Sequence, residues 1–324
     1  LATETVPPQA EDVEAVRLLD EVELTVAPDG QMRKRVRGAV RILRRGGARH
    51  AVLQVPQDAW RKVRDLRGWS IPASGKAAEV ALRDAVEMSI VNVDGSELIT
   101  DLRTKQLQIP DARPGATVGY EYEVSLNPLE MADTFGFQDL IPVRNASYTL
   151  KLPPGWSVQP TWLNHQEVPS TSGGSQQWQW KLHDIPAVAV EPGMPAWKSV
   201  ASHLFLAFSP PGKAPQLGSW PGIGSWFLEL SRDRRIASSD IRAKVAEITA
   251  ATSTDLERIR VLARFVQREV RYVSIQLGIG GFQPHPASEV FVNRYGDCKD
   301  KATLLAVMLA EAGSDSMPVL VNTA

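Results

Sequence analysis

The spacing of hydrophobic residues changes along the chain, and this change constrains the fold more than any other feature. From about residue 20 to residue 210, apolar and polar residues alternate with a period of two, which is typical of half-buried strands. The alternation is clearest at residues 120–126, 147–152 and 177–183. After residue 221 the period is about 3.6, as in amphipathic helices. The sequence therefore predicts an α+β protein in which strands come first and helices follow.

Turn signals separate the predicted strands at short intervals and favour an antiparallel architecture, either a β-sandwich-like domain or an open barrel. They are Pro28-Asp29-Gly30, Asp94-Gly95, Pro114-Gly115, Pro154-Gly155 and Gly173-Gly174. Alternation also places Trp178 and Trp180 on one face of a strand. We expect both to pack in the core, in preference to binding a sugar, because the strand pattern already accounts for them.

A segment rich in Pro, Gly and Ser, SPPGKAPQLGSWP at residues 209–221, marks a boundary between two domains. A chain of 324 residues is long enough for two. We predict a β-rich domain at residues 15–210, a linker region at 211–238 and a second domain at 239–324.

The charge pattern excludes some classes of function. The formal net charge of -1 gives no general attraction to nucleic acid, and no apolar run approaches the roughly 20 residues that span a bilayer. One local feature is a basic strand with no acid in it, which begins at Arg33, Lys34, Arg35 and Arg37 and continues to Arg41 and beyond. It is interpreted as the solvated face of an edge strand, or alternatively as a surface that attracts an anionic partner.

Two helical segments stand out in the second domain. Thr254 and Glu257 form a capping box, which predicts a helix from about Asp255 to Glu269. Its apolar stripe is Leu256, Ile259, Leu262, Phe265, Val266 and Val270. Residues 270–277 are predicted to be extended. The glycine-rich run at 278–281 is predicted to form a turn, because it has neither the Rossmann nor the Walker spacing of a phosphate-binding loop.

The second segment begins at Cys298, the only cysteine. Gly296 and Asp297 are N-cap candidates for a helix from Lys299 to Ala312, with Gly313 after it. Free N–H groups at the first turn favour a thiolate, and Lys299 and Lys301 add positive charge, whereas Asp297 and Asp300 oppose this effect. The helix face that carries Cys298 is expected to pack on the core, with the sulfur against a neighbouring element; its other members are Ala302, Leu305, Leu309 and Ala312.

A lone cysteine forms no internal disulfide, and with scattered histidines it gives no structural zinc site. It is then either a small packed residue or a nucleophile. The start of a helix favours the nucleophile.

The run YVSIQLGIGGFQPHPASEVFVNRYGDCKDKATLLAVMLAEAG, residues 272–313, resembles the transglutaminase-like core of bacterial proteins in the papain-like cysteine superfamily. Residues 127–156 resemble the β-rich domain of unknown function that is fused ahead of such cores. The resemblance implies that Cys298 is the nucleophile and that a histidine and an aspartate on following strands complete a triad. It also implies that the second domain is the helical, N-terminal part of this core.

No histidine follows Cys298, and residues 317–324 match only the first strand after the nucleophile helix. The sequence is therefore expected to be the N-terminal part of a longer protein, and to be inert or nearly so by itself. His285 is a conceivable substitute base, although a loop histidine without a role in proton transfer is favoured. Gln276 and Gln283 are candidate donors to an oxyanion, or ordinary surface amides.

The resulting hypothesis is a cysteine acyl-transfer enzyme, a protease or peptide amidase, that acts on protein or peptide amides through a Cys298 thioester and needs no metal or organic cofactor. The alternative is a non-catalytic scaffold module that recognises a protein or an envelope polymer. The amino end has no signal-peptide features and is interpreted as a trimmed terminus. A periplasmic or secreted location is expected, with any membrane attachment through segments outside this sequence.

Overall fold

The structure is a computed structural model that describes residues 12–74, 76–89, 92–93, 96–174 and 176–321. The predicted turn at Asp94-Gly95 lies outside the described residues. The strands in chain order are β1 (Ala15–Val26), β2 (Met32–Ile42), β3 (Val52–Gln57), β4 (Arg61–Ile71), β5 (Ala78–Ala81), β6 (Val86–Ser89), β7 (Asn92–Val93), β8 (Ser96–Thr100), β9 (Arg103–Gln108), β10 (Thr117–Leu126), β11 (Ala132–Gly136), β12 (Val143–Lys151), β13 (Ser157–Leu163), β14 (Thr171–Ser172), β15 (Gln177–Ile185), β16 (His203–Ser209), β17 (Arg271–Tyr272), β18 (Ser274–Gln276) and β19 (Tyr295–Gly296).

The α-helices are α1 (Trp197–Val200), α2 (Trp220–Ser231), α3 (Ser239–Thr249), α4 (Asp255–Glu269), α5 (Ala287–Asn293) and α6 (Cys298–Glu311). The chain divides into two compact units. The first, the β unit, comprises residues up to 88 together with 103–222, and the second, the helical unit, comprises 89–102 together with 223–323.

The β unit is built on one large sheet with the order β14-β15-β12-β1-β2-β10-β4-β5. Its neighbouring strands are antiparallel, except that β1 and β12 run parallel. Two three-stranded sheets accompany it, β11-β16-β13 and β3-β9-β6. The three segments with clear alternation form β10, β12 and β15, so the predicted α+β class with an N-terminal β-sandwich-like domain is confirmed.

The main core of the β unit contains side chains of the large sheet together with side chains of the β11-β16-β13 sheet. Trp180 is 1% exposed and Tyr148 is completely buried, and Phe137 and Phe208 belong to the same cluster. Trp178 packs against this cluster from the same strand as Trp180. The core position predicted for both tryptophans is therefore confirmed.

The basic strand is β2, and its prediction as an edge strand was wrong. β2 lies in the middle of the large sheet, between β1 and β10. Its arginines form ion pairs with glutamates of those two neighbours: Arg33 with Glu123, Arg35 with Glu121 and Arg37 with Glu21. The sequence of β2 alone does not reveal this arrangement, because the glutamates that pair with its arginines lie on other strands, β1 and β10. The paired charges also remove the reason for expecting an anionic partner on this face.

The helical unit has its own core, formed by α3, α4, α5 and α6. Helix α4 has the predicted bounds and the predicted capping box between Thr254 and Glu257. Leu262 and Val266 are buried as expected, but Leu256 and Ile259 are 55% and 39% exposed. The apolar stripe was thus predicted one turn too long, because the helices that pack on α4 do not cover its first turn.

Short strands connect these helices. β17 pairs with β19 in parallel, and β18 joins β8 and β7 in a second small sheet. Gly278–Gly281 forms the predicted turn, as a short 3-10 helix. Residues 317–321 form no strand, in contrast to the prediction, since no described segment pairs with them, and Met317 is 89% exposed. Among the described residues, none of the helices is both long and apolar enough to cross a membrane.

Candidate active site

The start of helix α6 is fixed by two carboxylates. Asp297 is the N-cap, as predicted, and its Oδ1 accepts hydrogen bonds from the backbone N–H groups of Lys299 at 3.1 Å and Asp300 at 3.2 Å. Asp300 accepts in return from the N–H of Asp297 at 3.1 Å, which completes a capping box. At the other end of the helix Gly313 has φ +77°, the left-handed conformation that glycine adopts without strain. Both predicted ends of the helix are therefore present.

Cys298 occupies the first position of this helix, and its side chain is exposed. The expected core-facing stripe is correct towards the end of the helix, where Leu309 is buried and Leu305 and Ala312 pack against the core. It is wrong at the start, where Ala302 is exposed as well as Cys298, and the buried face there carries Asp300, Thr303 and Leu304. The error has a physical cause, because α6 buries side chains around much of its circumference and its buried face includes two polar residues. Apolar spacing alone does not select the correct face of such a helix.

Tyr272 is the neighbour of Cys298 that sequence reasoning missed. The parallel pairing of β17 with β19 sets Tyr272 beside Gly296, two residues before the cysteine. Backbone hydrogen bonds from Arg271 to Arg294 at 2.8 Å and from Val273 to Gly296 at 3.1 Å hold the two strands together. The pKa of the Tyr272 hydroxyl is raised, chiefly by partial burial and next by the nearby charges of the Cys298 and Asp297 side chains. The backbone N–H of Cys298 is close enough to oppose part of this rise.

This arrangement narrows the set of groups that can donate to an oxyanion. The N–H groups of Lys299 and Asp300 already donate to Asp297, so they are not free at the mouth of the helix. Among the described residues, the donors that remain near the sulfur are the Cys298 N–H and the Tyr272 hydroxyl. Fewer backbone N–H groups are therefore free beside the thiol than the sequence predicted.

The two lysines of this turn have other partners. The Lys299 ammonium is paired with the Asp297 carboxylate, and the Lys301 Nζ donates to the carbonyl of Val270 at 2.7 Å. Lys301 thereby ties α6 to the end of α4. The positive charge expected from these lysines is engaged by these partners.

Asp300 links the helix to the loop that carries His285. Its side chain is 2% exposed and accepts hydrogen bonds from the backbone N–H of His285 at 2.8 Å and from the His285 Nδ1 at 3.0 Å. Gly296 approaches Asp300 so closely that a Cβ at residue 296 would lie 2.6 Å from the Asp300 Cβ. A glycine is therefore required here by space.

The candidate glutamines have amide groups that are already engaged. The Gln283 Nε2 donates to the carbonyl of Leu230 at 2.8 Å, and the Gln276 Nε2 donates to the Ser274 Oγ at 3.1 Å. The geometry brings together Cys298, Tyr272, Asp297 and Asp300, and His285 is hydrogen-bonded to Asp300. Within the described part of the chain, no three His, Cys, Asp or Glu side chains gather as a metal site would require.

Two known family profiles match separate parts of the chain. The profile of a domain of unknown function, DUF3857, matches residues 28–189, which is half of the chain. The chain belongs to the DUF3857 family. The profile of the transglutaminase-like superfamily matches residues 242–322, so this DUF3857 protein joins its family domain to a transglutaminase-like core, as the sequence resemblance predicted. No protein of curated function matches the sequence.

Among solved structures, a protein from Parabacteroides distasonis that is provisionally assigned as a protease superposes with a TM-score of 0.73 at 16% identity. The superposition covers 93% of this DUF3857 chain and 59% of that protein, so the chain spans less than two thirds of its relative. An M1 zinc metallopeptidase from Deinococcus radiodurans (TM-score 0.31, 10% identity, 60% of this chain and 42% of that one) and a leukotriene A4 hydrolase from Saccharomyces cerevisiae (TM-score 0.32, 6% identity, 72% and 36%) have TM-scores too low to indicate a shared fold.

Proposed function

We propose that the helical unit carries the nucleophile of a cysteine acyl-transfer enzyme that acts on peptide or protein amides, with Cys298 as the residue that forms the thioester. One observation carries the proposal. The only cysteine is exposed at the first position of a well-capped helix, and strand pairing places Tyr272 near it, beside Gly296. A cysteine retained only for packing is usually buried, so its exposure favours a chemical role.

The proposed reaction has two steps. The sulfur of Cys298 loses its proton to a base and attacks the amide carbonyl, and the carbonyl oxygen becomes an oxyanion beside the Cys298 N–H and the Tyr272 hydroxyl. The C–N bond then breaks, the amine leaves with a proton, and the acyl group remains on the sulfur as a thioester. Water or a second amine attacks the thioester and restores the thiol.

Hydrolysis is the outcome that we favour. The provisional assignment of the Parabacteroides distasonis protein as a protease supports it. A base must lie within about 2.6–3.2 Å of the proton that it removes. Within the described residues the hydrogen bonds of His285 go to Asp300, and no histidine is hydrogen-bonded to Cys298. We therefore expect the chain described here to form an acyl-enzyme slowly and to turn over poorly.

Acylation of the thiol is the direct test. The purified chain is mixed with p-nitrophenyl acetate, and intact mass spectrometry with peptide mapping follows the addition of one acetyl group. Because Cys298 is the only thiol, Cys298→Ser is a clean control. We expect a thioester at Cys298 that forms faster than on a denatured sample and is absent from the variant; equal rates in folded and denatured protein would overturn the proposal. The rate at which the acetyl group leaves Cys298 is then measured with and without the amine glycine ethyl ester. A faster loss with the amine indicates amine transfer, and an unchanged rate indicates hydrolysis.

A further inference from the structure

The β unit contains a cleft of about 270 Å³ that is separate from the proposed chemistry. Its walls come from β2, β3, β4 and β10 and from the segment that leads into β11. Apolar side chains supply much of its surface, among them Met32, Val55, Val124 and Leu126. A partly apolar cleft with a few polar groups is the usual form of a small-molecule site.

Two of the charged residues in this cleft neutralise each other. The Lys34 ammonium lies 2.8 Å from the Asp133 carboxylate, and the same carboxylate accepts a hydrogen bond from the buried Tyr148 hydroxyl at 2.6 Å. These groups are satisfied by the protein itself and form one wall.

Arg61 is different, because its charge is not balanced. It lines the cleft half-buried, and within the described residues no carboxylate lies within ion-pair distance of its guanidinium. Its Nε is buried without a hydrogen-bond partner. The hydroxyl of Tyr122 is close enough to feel this positive charge, although burial outweighs it and raises the pKa of the tyrosine. A buried donor without a partner is costly, which makes Arg61 a ready site for an anionic group.

Glu130 presents the opposite charge to the same cleft. It is half-buried, burial raises the pKa of its carboxyl, and the described part of the chain supplies no ion-pair partner for it. The cleft therefore contains one unbalanced cation and one unbalanced anion with apolar surface around them.

We propose that this cleft binds a small zwitterion with an apolar side chain, namely a free amino acid or a short peptide. The carboxylate of the ligand would pair with Arg61, its ammonium group with Glu130, and its side chain would lie on the apolar surface. Each charge left unbalanced by the protein gains a partner in this arrangement, and a ligand that carries only one of the two charges leaves the other unpaired. The inference does not depend on the chemistry of Cys298, which lies in the other unit.

Calorimetric titration of the whole chain tests the proposal with four probes: L-leucine, the dipeptide Ala-Leu, its N-acetyl derivative and its C-terminal amide. We expect L-leucine or Ala-Leu to bind, and the tighter of the two identifies the source of the zwitterion. Each blocked form of Ala-Leu is expected to bind at least about tenfold more weakly than Ala-Leu. No heat from either zwitterion at about 10 mM, or equal affinity for all three dipeptides, would overturn the proposal.

Substitutions of Arg61 and Glu130 test whether these two residues bind the charged groups of the ligand. Arg61→Gln is expected to raise the Kd of the zwitterion at least about tenfold and to abolish the difference between Ala-Leu and its amide, and Glu130→Gln to abolish the difference between Ala-Leu and its N-acetyl form. Arg83→Gln and Glu79→Gln are matched controls, because both residues are exposed and lie outside the cleft. An unchanged Kd in Arg61→Gln refutes the assignment. If thermal melting shows that Arg61→Gln folds poorly, the affinities of the unchanged protein for the N-acetyl and amide forms of Ala-Leu test whether both charges of the ligand are recognised.

Discussion

The hydroxyl of Tyr272 lies near the side chain and the backbone N–H of Cys298. This position follows from the pairing of β17 with β19, which sets Tyr272 beside Gly296. The proposed oxyanion would form beside the Cys298 N–H, and therefore near this hydroxyl. A hydroxyl both donates and accepts, so it can accept from this N–H in the resting protein and donate to an oxyanion during the reaction.

Replacement of Tyr272 by phenylalanine removes this donor and preserves the strand. We expect Tyr272→Phe to slow the acylation of Cys298 by p-nitrophenyl acetate by about 100-fold, the usual effect of losing one donor to an oxyanion. Tyr295→Phe is the matched control, since Tyr295 lies on the paired strand and is 40% exposed. An acylation rate in Tyr272→Phe equal to that of the control would remove Tyr272 from the mechanism.

Asp300 is expected to hold the start of α6 and the His285 loop together. Asp300→Ala leaves three donors without their acceptor, the N–H groups of Asp297 and His285 and the His285 Nδ1. We expect the opening free energy of α6, measured by hydrogen exchange, to fall by about 3 kcal/mol. Glu311→Ala, at the exposed end of the same helix, should change it by less than about 0.5 kcal/mol.

The contribution of the His285 ring is measured by combining variants. His285→Ala alone removes only the bond to Nδ1, and we expect a loss of about 1 kcal/mol. The double variant with Asp300→Ala should lose no more than Asp300→Ala, because the two residues share that bond. Fully additive losses would show that the ring and the carboxylate act independently.

Asp20 in the β unit makes stability depend on pH. Burial raises the pKa of its carboxyl from 3.8 to about 6, and the charge of Asp139 adds to the rise, while Arg17 and Lys34 oppose it. The folded state therefore binds this proton more tightly than the unfolded state does. Between pH 4 and pH 6 the unfolded state ionises first, so stability falls as the pH rises, and above pH 6 this contribution is constant.

Asp20→Asn tests this dependence with a side chain of similar shape. We expect the variant to be more stable than the unchanged protein by about 2 kcal/mol at pH 8, and the two to converge below about pH 3, where Asp20 is protonated in both states. Urea denaturation followed by tryptophan fluorescence measures this, since Trp180 and Trp156 are buried in the β unit. A constant difference across this pH range would contradict the account.

Local signals in the sequence predicted local structure well. The capping box of α4 and the Asp297 cap of α6 lie within a few residues of the groups they bind, so spacing alone reveals them. The position of Tyr272 near Cys298 depends on a two-residue strand pair between distant segments. So short a pair leaves no periodic pattern in the sequence. The central place of β2 and the burial of Asp300 were missed for the same reason, since their partners come from elsewhere in the chain.

We propose that the sulfur of Cys298 performs acyl transfer on peptide amides. The most direct measurement compares cleavage of a peptide mixture by the full-length gene product and by its Cys298→Ala variant, with mass spectrometry of the products and of the acyl-enzyme. The account predicts cleavage that Cys298→Ala abolishes, and an acyl group trapped on Cys298 of the unchanged enzyme. Cleavage that persists in Cys298→Ala, or that proceeds without any acyl group on Cys298, would contradict it.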